Sequence, residues 1–121
     1  MGKIAHLALV VKDCERSKDF YCRLFDAHEV NRMTSAEARF IYVQTDGLLL
    51  ELLEYRTDDK PRMAGVIDHI ALIVNDLAAA VASLKGQGIK FETEAPRTTG
   101  TGKKIIFMAG PDGERIELME I

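Results

Sequence analysis

The stretch Ile67-Asp-His-Ile-Ala-Leu-Ile-Val-Asn-Asp76 decides how the chain is read. It sets His69 inside a nearly unbroken apolar run that ends on an aspartate. Such a run, bounded by a polar turn, reads as a buried strand over about residues 66–74. Asp76 then caps a helix in which Leu77, Ala80, Val81 and Leu84 recur at i, i+3, i+4 and i+7. Gly86 and Gly88 offer left-handed stops beyond it. A lone histidine in such a strand is most simply a core residue satisfied by one hydrogen bond. Whether His69 is alone depends on the rest of the chain.

It has a counterpart. Ile4-Ala-His-Leu-Ala-Leu-Val-Val-Lys-Asp13 matches residues 67–76 at six of ten positions, pairing His6 with His69. Asp13 also leads into a helical segment, with Phe20, Tyr21, Leu24 and Phe25 as its apolar stripe. Further on, Leu50-Glu-Leu-Leu-Glu54 matches Ile116-Glu-Leu-Met-Glu120 and pairs Glu51 with Glu117. The chain is therefore an internal repeat. Strands are expected at about 3–11, 28–34, 38–45, 48–55, 66–74, 89–93, 104–109 and 115–121. Module 1 covers about residues 1–55, the polar stretch at about 56–65 links, and module 2 covers about 66–121. Pro111-Asp-Gly113 reads as a tight turn between two strands.

The totals exclude several classes of function. At 121 residues with 47% hydrophobic content, the chain can bury a core as one compact domain. Its net charge of −3, with no basic cluster, leaves no electrostatic footprint for nucleic acid or an anionic membrane. No apolar run approaches the roughly 20 residues a bilayer span needs. Met1-Gly-Lys-Ile lacks the layout of a signal peptide, and Cys14 and Cys22 have no metal-knuckle or redox-motif spacing. Free thiols in a reducing cytoplasm are the expectation.

In a strand every second residue faces the same way, so His6 shares a face with Ile4, Ala8 and Val10, and His69 with Ile67, Ala71 and Ile73. Glu51 lies between Leu49 and Leu53, and Glu117 between Arg115 and Met119. A carboxylate turned among such residues costs several kcal/mol unless a charge or strong donors compensate it. A divalent cation does so: two glutamates neutralise it and two imidazoles complete the set. The apolar neighbours would then wall a dry site. Two nitrogens and two oxygens suit Zn, Ni, Co, Mn or Fe, and do not suit Cu(I). Blander readings stand beside this one. Glu51 could be an exposed strand residue, Glu117 could pair with Arg115, and either histidine could be a satisfied core residue. Glu54 and Glu120 also repeat, but their opposite parity turns them to solvent. The joint duplication of histidine and glutamate favours the metal.

Together these residues resemble the vicinal-oxygen-chelate superfamily, which holds the glyoxalases, the bleomycin-resistance proteins and the extradiol dioxygenases. The resemblance is carried by His6 in HLALVVKD, the Ser17-Lys-Asp-Phe-Tyr21 helix, Glu51 in LELLE, His69 in DHIALIV, and Pro111-Asp-Gly113 before Ile116-Glu-Leu118. It implies an α+β fold of two tandem βαβββ modules whose mixed sheet forms a cup around one divalent metal per site. The metal ligands it implies are His6, Glu51, His69 and Glu117, with Ni or Zn the leading ions. It also implies a small-molecule substrate with vicinal oxygens and a homodimer.

The complete four-residue set is similar to that of lactoylglutathione lyase (glyoxalase I) and methylmalonyl-CoA epimerase. Both abstract a proton next to a carbonyl, with the resulting oxyanion held on the metal. The resemblance makes Glu117 the base, with Glu51 as the alternative or as the partner on the other face. Glyoxalase I commonly carries an Arg and an Asn that anchor glutathione; Val10 and Tyr55 stand at those positions. Arg56 or Arg62 could grip an anionic substrate instead. The epimerase is thus the near rival. An antibiotic-type binding protein without turnover and a purely structural ion are the rivals from other classes.

Overall fold

The computed structural model describes residues 5–56, 67, 69–99 and 102–120. The chain divides into two compact units, Met1–Arg62 and Met63–Ile121. Each has a helix and a four-stranded sheet, in the order strand, helix, three strands. The fold is therefore α+β, built from two βαβββ modules. Of the expected linker at about 56–65, all but Arg56 lies outside the described residues.

Unit 1 runs β1 (Leu7–Val10), α1 (Cys14–Leu24), β2 (His28–Thr34), β3 (Ala38–Gln44) and β4 (Leu49–Tyr55). The strand order is β1-β4-β3-β2, with β1 parallel to β4 and the other pairs antiparallel. The parallel pair requires a crossover, and α1 provides it. Asp13 caps α1 by accepting a hydrogen bond from the Arg16 amide. The helix buries Cys14, Ser17, Phe20 and Tyr21 and packs on β3 and β4. Ile41, Val43, Leu50 and Leu52 are buried in the sheet. Each such side chain contributes about 1.5–3 kcal/mol on leaving water.

Unit 2 runs β5 (Ile70–Ile73), α2 (Leu77–Gly86), β6 (Arg97–Thr98), β7 (Lys104–Ala109) and β8 (Arg115–Glu120). Its order, β5-β8-β7-β6, and its parallel β5–β8 pair repeat unit 1. Asp76 caps α2 through the Ala79 amide. Leu77 and Val81 are buried, as are Ile105, Ile106, Met108, Ile116 and Leu118 in the sheet. In the turn after β7, Gly113 takes φ +80, a left-handed conformation that a β-carbon would strain. The Gly110 amide donates to the Glu114 carbonyl across that turn.

Three expectations need correction. Residues 89–93 form no strand: Phe91 makes one isolated bridge to Met108, and the paired segment is the two-residue β6. Pro96, which has no amide hydrogen to donate, interrupts the path between them. Gly86 lies inside α2, and only Gly88 takes the left-handed conformation. The first strands are also shorter than expected and begin one residue after their histidines. β4 starts at Leu49 and its ladder with β1 opens at Leu7–Leu50, so His6 stands at the mouth of the ladder. His69 stands likewise before Ile70.

Candidate functional site

The shared register places the polar residues. In unit 1 the ladder sets Ala8 opposite Glu51; in unit 2 it sets Ala71 opposite Glu117. Two residues before each alanine stands the histidine, on the same face. His6 Nε2 lies 2.8 Å from Glu51 Oε2, and His69 Nε2 lies 3.0 Å from Glu117 Oε2. The four residues singled out in the sequence are thus brought together as two His–Glu couples, one in each unit. Among the described residues, no group of three or more His, Cys, Asp or Glu side chains could hold a metal ion.

The burial pattern separates these couples from a core. Glu51 and Glu117 are buried, at 9% and 7% exposure, whereas the His6 and His69 side chains keep 41% and 33%. A core histidine would be covered, so that reading fails. Beside His69 the expected apolar cover is absent among the described residues, with Ile67 and Ile73 63% and 61% exposed and Ala71 open; beside His6, Ala8 is open and Val10 is half-buried. These histidines stand at strand mouths, where half of the run's side chains face away from the helix-packed layer.

Each couple brings together an imidazole nitrogen and a carboxylate oxygen, donor types that a divalent ion takes, and at 2.8 and 3.0 Å the two are paired with each other. A buried carboxylate beside a half-open imidazole also leaves one side of each couple accessible.

The surroundings of the couples differ. Across the β3–β4 ladder Tyr42 faces Glu51, and its ring stands edge-on to His6 with centroids 6.3 Å apart. Burial, the Glu51 charge and a hydrogen bond to Glu51 together push the Tyr42 phenol up from its ordinary pKa. At the equivalent place in unit 2, Phe107 faces Glu117 and stands edge-on to His69 at 5.1 Å. Arg115 lies over the Phe107 ring at 4.0 Å and pairs with Glu92 through Nε at 2.7 Å. Arg115 is therefore Glu92's partner, which corrects the reading that would give it to Glu117. The sequence carried no signal for Tyr42 or Phe107, because their place depends on strand register.

Glu54 and Glu120 also differ from the solvent-facing reading. Glu54 accepts a hydrogen bond from the Cys14 amide at 2.9 Å, and Glu120 from the Leu77 amide at 2.7 Å. Each closes the open N-terminus of its unit's helix from the last strand. Of the linker arginines, Arg56 donates to the Ser35 carbonyl, and Arg62 lies outside the described residues. Cys14 and Cys22 are free, and burial raises both thiols, Cys14 to about 11. A raised thiol is poorly reactive at neutral pH. Among the described residues no helix is long and apolar enough to cross a membrane.

Comparison with known proteins agrees with this geometry. The family described as the Glyoxalase/Bleomycin resistance protein/Dioxygenase superfamily matches residues 3–118. The chain is 28% identical to a lactoylglutathione lyase of Escherichia coli over 98% of its own length and 92% of that protein's. It is 27% identical to the mitochondrial methylmalonyl-CoA epimerase of Mus musculus, over 98% of this chain and 72% of that one. A solved structure of a variant of the fosfomycin resistance protein FosX from Listeria monocytogenes, complexed with Mn(II) and a dihydroxypropylphosphonic acid, has the same fold. Its TM-score is 0.77 at 19% identity, covering 98% of this chain and 91% of that one.

Proposed function

Since this chain belongs to the Glyoxalase/Bleomycin resistance protein/Dioxygenase superfamily, we propose that it is a metal-dependent lyase or isomerase of the lactoylglutathione lyase kind. It would move a proton between neighbouring carbons of a small substrate carrying vicinal oxygens. The observation that carries this reading is the repetition of one His–Glu couple in the same register in both units. His6, Glu51, His69 and Glu117 would hold one divalent ion, with nickel or zinc the leading candidates and Co, Mn and Fe next. When bound, the ion supplies Lewis-acid stabilisation of the charge that develops on the substrate oxygens.

The chain's own residues supply the rest. Both imidazoles must present a bare Nε2, so the proton of each ring belongs on Nδ1. A carboxylate beside the reacting carbon takes the proton and returns it to the neighbouring carbon. Glu117 is the base in this reading, with Glu51 as its alternative or its partner on the opposite face. The same reading makes the protein a homodimer, which sedimentation would test.

The methylmalonyl-CoA epimerase reading has its own support. The mouse epimerase is as similar to this chain as the bacterial lyase is, within one percentage point of identity. Val10 and Tyr55 also stand where a glutathione-binding Arg and Asn are expected. Metal analysis of the purified protein, followed by assays with methylglyoxal–thiol adducts and with methylmalonyl-CoA, separates the two. The expected result is turnover of a thiol adduct that a chelator abolishes and Ni²⁺ or Zn²⁺ restores. Preference for methylmalonyl-CoA would select the second reading. Equally poor binding of Ni²⁺, Co²⁺ and Zn²⁺ by the protein and by a His69→Ala variant would sink both.

A further inference from the structure

On the face of unit 2 that carries His69 and Glu117, a cation stands in the same row. Arg115 precedes Glu117 by two residues on β8, so both side chains leave the same face, about 7 Å apart along the strand. The Arg115 guanidinium lies over the Phe107 ring at 4.0 Å, and that ring meets His69 edge-on at 5.1 Å. Stacking on a ring face fixes the plane of the guanidinium without using its in-plane donors. Nε and Nη2 donate to Glu92 at 2.7 and 3.0 Å, and the Glu92 amide donates to the Phe107 carbonyl, which ties the pair to β7. Both partners of this ion pair are open to water, at 34% and 45% exposure, where such a pair adds little and a second anion can compete. Across the ladders Ala71 faces Glu117 and Ala109 faces Arg115, and both alanines are short and exposed. Unit 1 differs at the equivalent place. Leu49 precedes Glu51 by two residues, and Gln44, which faces Leu49, donates to the Thr45 and Leu48 carbonyls.

We infer that Arg115 is a specificity-determining residue: it anchors an anionic group of the substrate, a carboxylate or a phosphate, beside the His69–Glu117 couple, and Glu92 is the counter-ion that this anion displaces. Every contact it uses lies within unit 2, and it rests on the proposed function only in taking that couple as the reacting end. The planar fork of a guanidinium matches carboxylate and phosphate alike through two parallel hydrogen bonds. Its plane, already held by the Phe107 ring, lowers what must be ordered when substrate binds. Glu92 keeps the guanidinium paired until the substrate arrives, and on displacement its charge returns to water. The anion belongs on a part of the substrate remote from the reacting carbons, about two strand residues away.

Isothermal titration calorimetry on the purified protein tests this with two matched pairs of probes. S-lactoylglutathione is compared with its dimethyl ester, which removes the carboxylates, and coenzyme A with pantetheine, which removes the phosphates. Arg115→Leu should weaken the anionic member of one pair about 10-fold, the worth of a charged hydrogen bond, and its neutral partner far less. The pair that responds names the source of the anion. Arg115→Lys should recover only part of the loss, because an ammonium is a point charge without the fork. Glu92→Gln removes the competitor and should tighten the same probe, an effect that added salt reduces. In turnover, Arg115→Leu should raise KM with kcat little changed. Circular dichroism identifies any variant that fails to fold; should Arg115→Leu do so, Glu92→Gln carries the test. Equal weakening of charged and neutral members in Arg115→Leu, or no preference of the wild type for the anionic member of either pair, would overturn the anchor and leave the lyase or isomerase reading standing. An anionic preference that Arg115→Leu abolishes, in a protein that turns over neither thiol adducts nor methylmalonyl-CoA, would uphold the anchor and overturn that reading.

Discussion

Units 1 and 2 share a register down to single residues, yet they diverge at three places. Ala8 faces Glu51 as Ala71 faces Glu117, and each last strand sends a second glutamate back to cap its helix. The divergence lies in the aromatic across from the glutamate, Tyr42 against Phe107, in the residue two before it, Leu49 against Arg115, and in the outer strand. In unit 1 that strand is the seven-residue β2, tied to α1 by Arg32, which bonds Glu15 and Glu29. In unit 2 it shrinks to the two-residue β6. Duplication therefore does not by itself mark chemistry: Glu54 and Glu120 repeat as faithfully as Glu51 and Glu117 and serve the helices. What distinguishes the second pair is a histidine within 3.0 Å on the face away from the helix-packed layer.

The sharpest way to break the comparison is to neutralise one glutamate at a time. Glu117→Gln should lower turnover by about 10²- to 10⁴-fold, the usual contribution of a positioned base. Glu51→Gln should act first on metal affinity, so that added metal restores part of its rate. Equal responses of the two variants in steady-state kinetics would remove the functional asymmetry. Next in size are the cores. Leu52→Ala and Leu118→Ala should each cost about 2–5 kcal/mol in urea unfolding, since both side chains are fully buried in equivalent strands. A large difference between them would show that the repeat is one of topology and not of packing.

The capping carboxylates come third. Glu54→Ala and Glu120→Ala should each lower stability by about 1 kcal/mol, read as a shift in the denaturant midpoint, with metal binding unchanged. The smallest effect belongs to Arg32→Ala in unit 1. Hydrogen bonds from Arg32 hold the Glu15 and Glu29 carboxyls below their ordinary pKa. The stability they add is therefore present above the ordinary carboxylate range and is lost as pH falls through the lowered values. Arg32→Ala should melt slightly lower than wild type near neutrality, and the two should converge in acid. The pair is solvent-exposed, so salt should shrink the difference as well.

Most of the fold could be read in the residues because it rests on local chemistry. The repeated apolar runs, Asp13 and Asp76 before helical stripes, and the Pro111-Asp-Gly113 turn each act over a few residues; the structure keeps both caps and the turn where they were expected, and shortens the two runs to Leu7–Val10 and Ile70–Ile73. The reading failed where long-range pairing decides. Residues 89–93 have strand-like composition, but β7 meets them only at the Phe91–Met108 bridge. Glu54 and Glu120 have solvent-facing parity, but their carboxylates reach helix amides some forty positions away in the chain.

The sequence by itself determined the two modules, the helix caps and the identity of two histidines and two glutamates, because periodicity and repetition are properties of the chain. Tertiary structure decided which histidine meets which glutamate, at 2.8 and 3.0 Å, and how open each imidazole is. It also decided that a phenol stands over one couple and a phenyl ring over the other. Those relations depend on strand register, which is set by packing between residues tens of positions apart and leaves no mark in the local pattern.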